Sequence, residues 1–208
     1  MRQIASARAA AAAAAMLFTG MFGAVPAEAN ILEDFFRQFS QPDATYSRPD
    51  AGPPWQYRRQ TVQFRTNERP GTIIIDTRSK FLFFVLDENR AIRYGVGVGR
   101  EGFGWRGVVH VARKAEWPGW TPPKEMIARE RRRGRIIPAY MPGGINNPLG
   151  ARALYLHDGP RDTLFRIHGT NEPWTIGSNV SSGCIRLVNA DVIDLYNRVR
   201  IGAKVIVL

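Results

Sequence analysis

The chain has 208 residues, with 29 Lys and Arg against 18 Asp and Glu, a formal net charge of +11 and a single Cys. This length suits one domain plus a leader, and one cysteine excludes an intramolecular disulfide framework. The positive charge could bind nucleic acid or an anionic surface, but the sequence has no nucleic-acid-binding motif, zinc-ligand spacing or stripe of alternating aromatic and basic residues. It therefore predicts no nucleic-acid partner and favours a cell-wall surface, the weaker alternative being that the charge only maintains solubility.

Residues 1–29 have the pattern of a secretory signal peptide. Arg2 and Arg8 give a positive start, residues 9–24 are apolar, and residues 27–29 read Ala-Glu-Ala, a small-residue cleavage site. A membrane anchor is the alternative, but the apolar stretch is short for a span of about 20 residues and glycines interrupt it. We therefore predict export to the periplasm or cell envelope. The mature chain would start at Asn30 and, after losing two Arg and one Glu, carry a charge of +10.

Residues 30–70 are predicted to form a short helix and then a linker or wrapping arm. Five apolar side chains within residues 31–39 fall on one helical face, which would pack on the domain or dock a partner or membrane surface. Residues 40–70 are rich in Pro, Arg, Gln and Asp and include Gly-Pro-Pro at 52–54. The catalytic domain is predicted to cover residues 71–208.

From residue 71 onward, short β-branched and aromatic runs alternate with turn signals, a pattern typical of antiparallel hairpins in a sandwich or barrel. Two helices interrupt this pattern. One covers residues 122–133, with Pro at its start, and the other begins at Asn189 as its N-cap. The fold class is therefore mainly β with about two short helices. The predicted strands cover residues 72–76, 81–86, 92–98, 107–112, 153–156, 164–167 and 204–208.

The only cysteine, Cys184, lies in the run Ser-Ser-Gly-Cys-Ile-Arg-Leu, sixteen residues after His168. A thiol and an imidazole together are the general signature of a cysteine nucleophile with its base. Gly183 allows a tight backbone turn beside the sulfur. The alternative is a buried cysteine that acts as a small hydrophobe. Export favours the chemical role, because a lone thiol outside the cell is exposed to oxidants.

The stretch from about Gln60 to Leu208 resembles the L,D-transpeptidase (YkuD-like) catalytic domain, in its short exported form without a peptidoglycan-binding module. The resemblance implies an L,D-transpeptidase-type β-sandwich with a cysteine nucleophile. It also implies acyl transfer on peptidoglycan stem peptides, at the bond after the L-centre of meso-diaminopimelate. It is carried by six segments in order: GTIIIDTRSKFLFFVL, YGVGVGREGFGW, AEWPGWTPP, MPGGINNPLGARALYL, RIHGTNEPWTIG and SSGCIRLVNADVIDLY.

By position, the resemblance makes Cys184 the nucleophile, His168 the base and the Gly169 carbonyl the group that orients the imidazole. Ser182 stands where many members have a second His. Arg186 matches the motif arginine, which is suited to bind the substrate or to stabilise the geometry of the motif loop. The alternative is a purely structural hydrogen bond to the loop backbone. We expect the charges of His168 and Arg186 to lower the thiol pKa. Backbone N–H groups around Gly183 and Cys184 are the candidate oxyanion donors.

Five further residues, besides Ser182 and Arg186, are candidates for substrate contact. Asn147 lies in a turn-rich segment that could form a wall of the site or serve the turn alone. Trp117 and Trp120 lie in a Pro-rich loop that would be a lid or a small core. Thr170 and its neighbour Asn171 follow His168 and could bind substrate main chain. His110, His157 and Trp174 are expected to be structural.

No cofactor or metal is expected, since His110, His157 and His168 lie far apart and no metal-ligand spacing occurs. The acceptor amine would come from another stem peptide, a free D-amino acid or an envelope protein. Carbapenem-type β-lactams are expected to acylate the thiol. Two alternatives stay open: an L,D-carboxypeptidase or wall-amide hydrolase with the same site, and a non-catalytic cell-wall-binding protein.

Overall fold

A computed structural model describes residues 53–87, 89–100 and 104–208. The predicted signal peptide and the predicted helix at 31–39 lie outside these ranges. Within them, no helix has both the length and the apolar character needed to cross a membrane.

The described residues form a mainly β structure with two α-helices, which confirms the predicted fold class. Nine strands make one mixed sheet in the order β1-β4-β3-β2-β11-β6-β7-β8-β10, and β5 pairs with β9. The helices are α1 (Lys124–Arg132) and α2 (Asn189–Arg198). The strands are β1 (Gln60–Gln63), β2 (Ile73–Asp76), β3 (Phe81–Val85), β4 (Arg90–Gly95), β5 (Val98–Gly99), β6 (Gly107–Glu116), β7 (Arg152–Asp158), β8 (Arg161–His168), β9 (Asn179–Ser181), β10 (Ile185–Arg186) and β11 (Lys204–Val207).

The large sheet curls around a single hydrophobic core. Buried side chains from β2, β3 and β4 join those of β6, β7 and β8 in one cluster, together with Val192 and Leu195 of α2. The edge strand β10 lies against the connection between β4 and β5, where Gly97 and Arg186 exchange backbone hydrogen bonds of 2.8 and 2.9 Å. This closure places the loop before β10, which contains Cys184, beside the connection between β4 and β5.

The segment before residue 71 contributes to the sheet. β1 pairs antiparallel with β4, and a 3-10 turn at Trp55–Tyr57 precedes it. Tyr57 packs so closely on Gly95 and Gly177 that a Cβ at either glycine would lie 2.4 or 2.2 Å from it. The sequence did not predict β1, whose residues Gln-Thr-Val-Gln include a single apolar side chain. It also did not predict β9 and β10, which have three and two residues and therefore no alternating pattern.

The prediction that Asn189 caps α2 with its side chain is wrong. The N-cap is Val188, and no side chain caps this helix. The Asn189 Oδ1 instead accepts the Ala151 N–H at 2.9 Å. A Cβ on Gly150 or Gly169 would meet this same oxygen at 2.3 or 2.2 Å. Asn189 therefore ties the start of β7 to the backbone that follows His168.

Candidate active site

Two neighbouring parallel strands bring the predicted catalytic residues together. In the β8–β10 ladder, Ile185 is opposite Ile167 and Arg186 is opposite His168. Both isoleucines are buried in the core. Because side chains alternate along a strand, His168 and Arg186 point to the other face. Cys184, two residues before Arg186, continues that face, so the thiol, the imidazole and the guanidinium share one side of the sheet.

His168 is a neutral imidazole held by one hydrogen bond. Its ring is 4% exposed, and Nδ1 lies 2.6 Å from the Gly169 carbonyl oxygen. A carbonyl only accepts, so Nδ1 carries the proton and Nε2 keeps its lone pair. Burial lowers the pKa of His168 to about 3, and the Arg186 charge acts in the same direction, against the opposing effect of the Gly169 bond. The geometry therefore leaves Nε2 free to act as a base.

The Cys184 thiol is also neutral at rest. Burial raises its pKa, and this outweighs the lowering by the Arg166 backbone hydrogen bond and by the guanidiniums of Arg166 and Arg186. The prediction of a thiol pKa lowered by charge is therefore wrong in its net direction. His168 contributes no charge because it is itself deprotonated. The resting pair is thiol and imidazole, and proton transfer has to accompany attack on the substrate.

Ser181 shapes the loop around the nucleophile. Its buried Oγ accepts the Gly183 N–H at 3.1 Å and donates to the Cys184 carbonyl at 2.5 Å. Gly183 adopts a φ of +108°, which favours glycine. Since the Gly183 N–H is already used, it is not free to hold an oxyanion. Of the two predicted oxyanion donors, the Cys184 N–H is the one that this loop leaves available.

Arg186 forms an ion pair that the sequence analysis missed. Its Nη1 lies 2.9 Å from Glu172 Oε2, and the two side chains are 16% and 7% exposed. Glu172 is held in place by its own loop, in which its N–H donates to Thr170 Oγ1 and its carbonyl accepts from Thr175 Oγ1. The sequence has no motif that would identify Glu172 as a site residue. It lies fourteen residues from Arg186 in sequence, and the strand pairing brings the two side chains together.

Two more residues frame the thiol. Leu164, an exposed residue with a left-handed φ of +63°, presents its carbonyl oxygen 4.0 Å from Cys184 Sγ. Trp105 Nε1 donates to the Gly183 carbonyl at 3.3 Å, and its ring stacks on Phe165 with centroids 4.8 Å apart. A positive φ in a leucine and an indole beside the loop are tertiary features without a sequence signal.

The family model for the L,D-transpeptidase catalytic domain (YkuD) matches residues 70–207, about two thirds of the chain. The chain belongs to the L,D-transpeptidase family. It is 32% identical over 187 residues to the Escherichia coli protein ErfK/SrfK, named a probable L,D-transpeptidase, covering 84% of this chain and 58% of the relative. It is 35% identical over 139 residues to E. coli YbiS, similarly named, covering 65% and 43%. The chain thus spans about half the length of these relatives.

A solved structure from Brucella melitensis is 49% identical, with a TM-score of 0.50, and covers 74% of this chain and 94% of that one. That protein is named a probable carnitine operon oxidoreductase. This name refers to another activity, whereas the family match and the curated relatives agree on the L,D-transpeptidase domain.

The structure of this family member places Asn147 and Thr170 within their own loops. Asn147 is 1% exposed; its Nδ2 donates to the carbonyls of Met141 and Pro142, and its Oδ1 accepts the Leu149 N–H. Thr170 is buried and caps the Glu172 N–H. These contacts support the turn alternative for Asn147, and a direct substrate contact by either residue stays a prediction. Ser182 is half-buried beside Gly183.

The loop of Trp117 and Trp120, predicted to be a lid, is joined to the segment at 141–150, predicted to be a wall of the site. Trp120 and Met141 exchange backbone hydrogen bonds, each 2.8 Å long. Trp117 is 44% exposed, and its carbonyl packs against Gly143. The segment at 141–150 also borders the loop after His168, since Asn171 Nδ2 donates to the Asn146 carbonyl at 3.3 Å. A lid role for Trp117 and Trp120 stays a prediction.

The predicted structural histidines lie on the opposite strand end. His110 and His157 face each other across β6 and β7 with ring centroids 6.2 Å apart. In the part of the chain that the structure describes, no group of three His, Cys, Asp or Glu side chains could hold a metal ion.

Proposed function

We propose that this protein is an exported L,D-transpeptidase that acylates Cys184 with a peptidoglycan stem peptide, releases D-alanine and passes the acyl group to an amine. The observation that carries this is the pairing of β8 with β10. This pairing puts the only thiol on the same side of the sheet as a neutral imidazole whose Nδ1 is bonded to Gly169, which supports Nε2 as the base. The family membership and the names of the relatives support the same reaction.

Acylation follows from the neutral resting pair. His168 Nε2 takes the thiol proton as Cys184 Sγ bonds to the diaminopimelate carbonyl carbon. The Cys184 N–H faces the developing oxyanion, and one such donor contributes about 3 kcal/mol to the barrier reduction. When the C–N bond to D-alanine breaks, the imidazolium returns the proton to the leaving amine. A thioester on Cys184 and a neutral imidazole remain.

Transfer uses the same groups in reverse. The acceptor amine attacks the thioester carbonyl and gives a proton to His168; the C–S bond then breaks and the thiolate recovers that proton. Water in the acceptor position would yield a tripeptide, and the enzyme would then be an L,D-carboxypeptidase. Positioning of the amine decides between the two, because effective molarities of about 10⁵ M or more exceed the concentration of water.

The decisive experiment incubates the purified protein with tetrapeptide muropeptides and increasing acceptor amine, with products read by mass spectrometry. We expect cross-linked or amine-exchanged products to exceed tripeptide. Cys184→Ala should give no product and stay folded. Tripeptide and free D-alanine alone, at high acceptor concentration, would establish the carboxypeptidase. No turnover together with wall binding would establish the non-catalytic alternative. An envelope-protein acceptor would appear as a peptide–protein adduct in the same spectra.

A strained β-lactam gives an independent test of the nucleophile. A carbapenem carbonyl should acylate Cys184 and add its full mass, because ring opening expels no fragment. The adduct should be absent from Cys184→Ala. A protein with a titratable thiol that forms no adduct with any carbapenem would contradict the proposed nucleophile.

Export is proposed from the sequence of residues 1–29. The secreted form should have Asn30 as its N-terminal residue and should fractionate with the cell envelope or periplasm. An N-terminus that retains residues 1–29 after fractionation would overturn this part of the proposal.

A further inference from the structure

A cavity of about 620 Å³ opens beside the catalytic loop. Gly183 and Ile185, the residues on either side of Cys184, form part of its wall. Trp105 forms another part of the wall and is bonded to the Gly183 carbonyl. Cys184 is not among the described lining residues, so an occupant of this cavity would contact the chain on either side of the nucleophile.

The cavity wall is strongly cationic. Arg78, Lys80, Arg100 and Arg106 line it, and none of the other described lining residues is acidic. The guanidiniums of Arg78 and Arg106 have no carboxylate within ion-pair distance among the described residues. Lys80 Nζ is fixed by the Thr77 carbonyl at 2.6 Å, which positions its charge without neutralising it.

The positive potential continues from the cavity toward the site. Burial lowers the pKa of Arg100, and the nearby charges of Arg129, Arg133 and Arg186 lower it further, against the opposing effect of Glu130. Glu130 pairs with Arg129 and Arg133, and Glu172 pairs with Arg186, so the charge that would attract an anion into the cavity is mainly that of Arg78, Lys80 and Arg106.

We propose that this cavity binds the free carboxylates of the peptidoglycan stem peptide while its scissile carbonyl lies at Cys184. This rests on the proposed function, in which the stem peptide is the acyl donor. Diaminopimelate and the terminal D-alanine both carry free carboxylates, and the guanidinium fork matches a carboxylate with two parallel hydrogen bonds. A phosphate-bearing wall polymer fits less well, because a cavity that shares its wall with the nucleophile loop suits a ligand that reaches the thiol.

The test measures binding rather than turnover. Cys184→Ala protein, which cannot consume the ligand, is titrated with a tetrapeptide muropeptide and with the same peptide whose carboxylates are amidated. In this background Arg78→Ala with Arg106→Ala should raise the Kd about tenfold, the loss expected for charge-assisted bonds partly screened by solvent. Amidation should raise the Kd of the parent similarly and add little in the double variant.

A matched control removes two charges that lie away from the cavity. Arg65 and Arg69 are exposed. Arg65 follows Phe64, whose N–H bonds to the Asn89 carbonyl at the turn between β3 and β4, the end of β3 opposite Lys80. Arg65→Ala with Arg69→Ala should leave the Kd within a factor of two of the parent, as expected for charges screened over a Debye length of about 8 Å.

The outcomes separate this inference from the proposed function. Equal binding of free and amidated peptide, or an unchanged Kd in the double variant, would overturn the carboxylate site even if the wild-type enzyme turns over. Wild-type protein without turnover would defeat the proposed function and leave the binding result to stand by itself. Inorganic phosphate that displaces the peptide more strongly than acetate at equal ionic strength would assign the cavity to phosphate instead and refute the carboxylate site.

Discussion

Replacing Glu172 by Gln should destabilise the protein through Arg186. The carboxylate and the guanidinium are 2.9 Å apart and largely buried, with side-chain exposures of 7% and 16%. Glutamine keeps the shape of the side chain but removes its charge. The Arg186 guanidinium, whose Nε already lacks a hydrogen-bond partner among the described residues, would then be a buried and uncompensated cation.

The magnitude follows from the burial of the pair. Removing one partner of a buried ion pair costs about 3–5 kcal/mol, because the remaining charge is desolvated without compensation. Since Arg186 keeps some contact with solvent, we expect a loss of about 3 kcal/mol in the free energy of unfolding, the lower end of that range. Arg186→Met should also destabilise the protein, because it removes the guanidinium that faces the buried Glu172 carboxylate.

Urea unfolding of the wild type, both single variants and the double variant measures this as a double-mutant cycle. The double variant should lose clearly less than the sum of the single losses, with a coupling energy of about 2 kcal/mol. Single variants within about 0.5 kcal/mol of the wild type, the usual range for surface substitutions, would refute the account of a buried and mutually dependent pair.

Three further predictions concern the site and the loop that carries Trp117 and Trp120. The pKa of folded His168 is about 3, below about 6.5 in the unfolded chain, so the unfolded state binds more protons between these values and the stability falls as the pH drops from 6.5 toward 3. Urea midpoints at pH 7.5 and 4.5 should therefore differ less in His168→Gln than in the wild type; an equal difference would contradict the buried neutral imidazole. Ser181→Ala removes the hydroxyl that joins the Gly183 N–H to the Cys184 carbonyl. It should cost about 1–2 kcal/mol and slow acyl transfer far more than iodoacetamide alkylation; parallel losses in both rates would point to general unfolding instead. Replacing Trp117 and Trp120 together by Ala should raise the ratio of tripeptide to transfer product, and an unchanged ratio would remove the lid role.

The sequence by itself determined the fold class and the main reacting groups. Continuous β-branched and aromatic runs at residues 72–76 and 81–86 predicted β2 and β3, because such residues favour strands and turn signals bound each run. The single Cys184, the Ser-Ser-Gly-Cys-Ile-Arg run and the distant His168 identified the thiol and its base as residue types. These features are local, so they can be read without knowing which strands are neighbours.

The tertiary structure decided the charge state and the partners of those groups. The sequence analysis expected the charges of His168 and Arg186 to lower the thiol pKa, but burial raises it and leaves His168 neutral. Glu172 reaches Arg186 only because β8 and β10 pair in parallel, and the Asn189 side chain does not cap α2 because it accepts the N–H of Ala151, the residue before β7. Desolvation and long-range pairing depend on what the rest of the chain packs around a residue, and no local pattern encodes that.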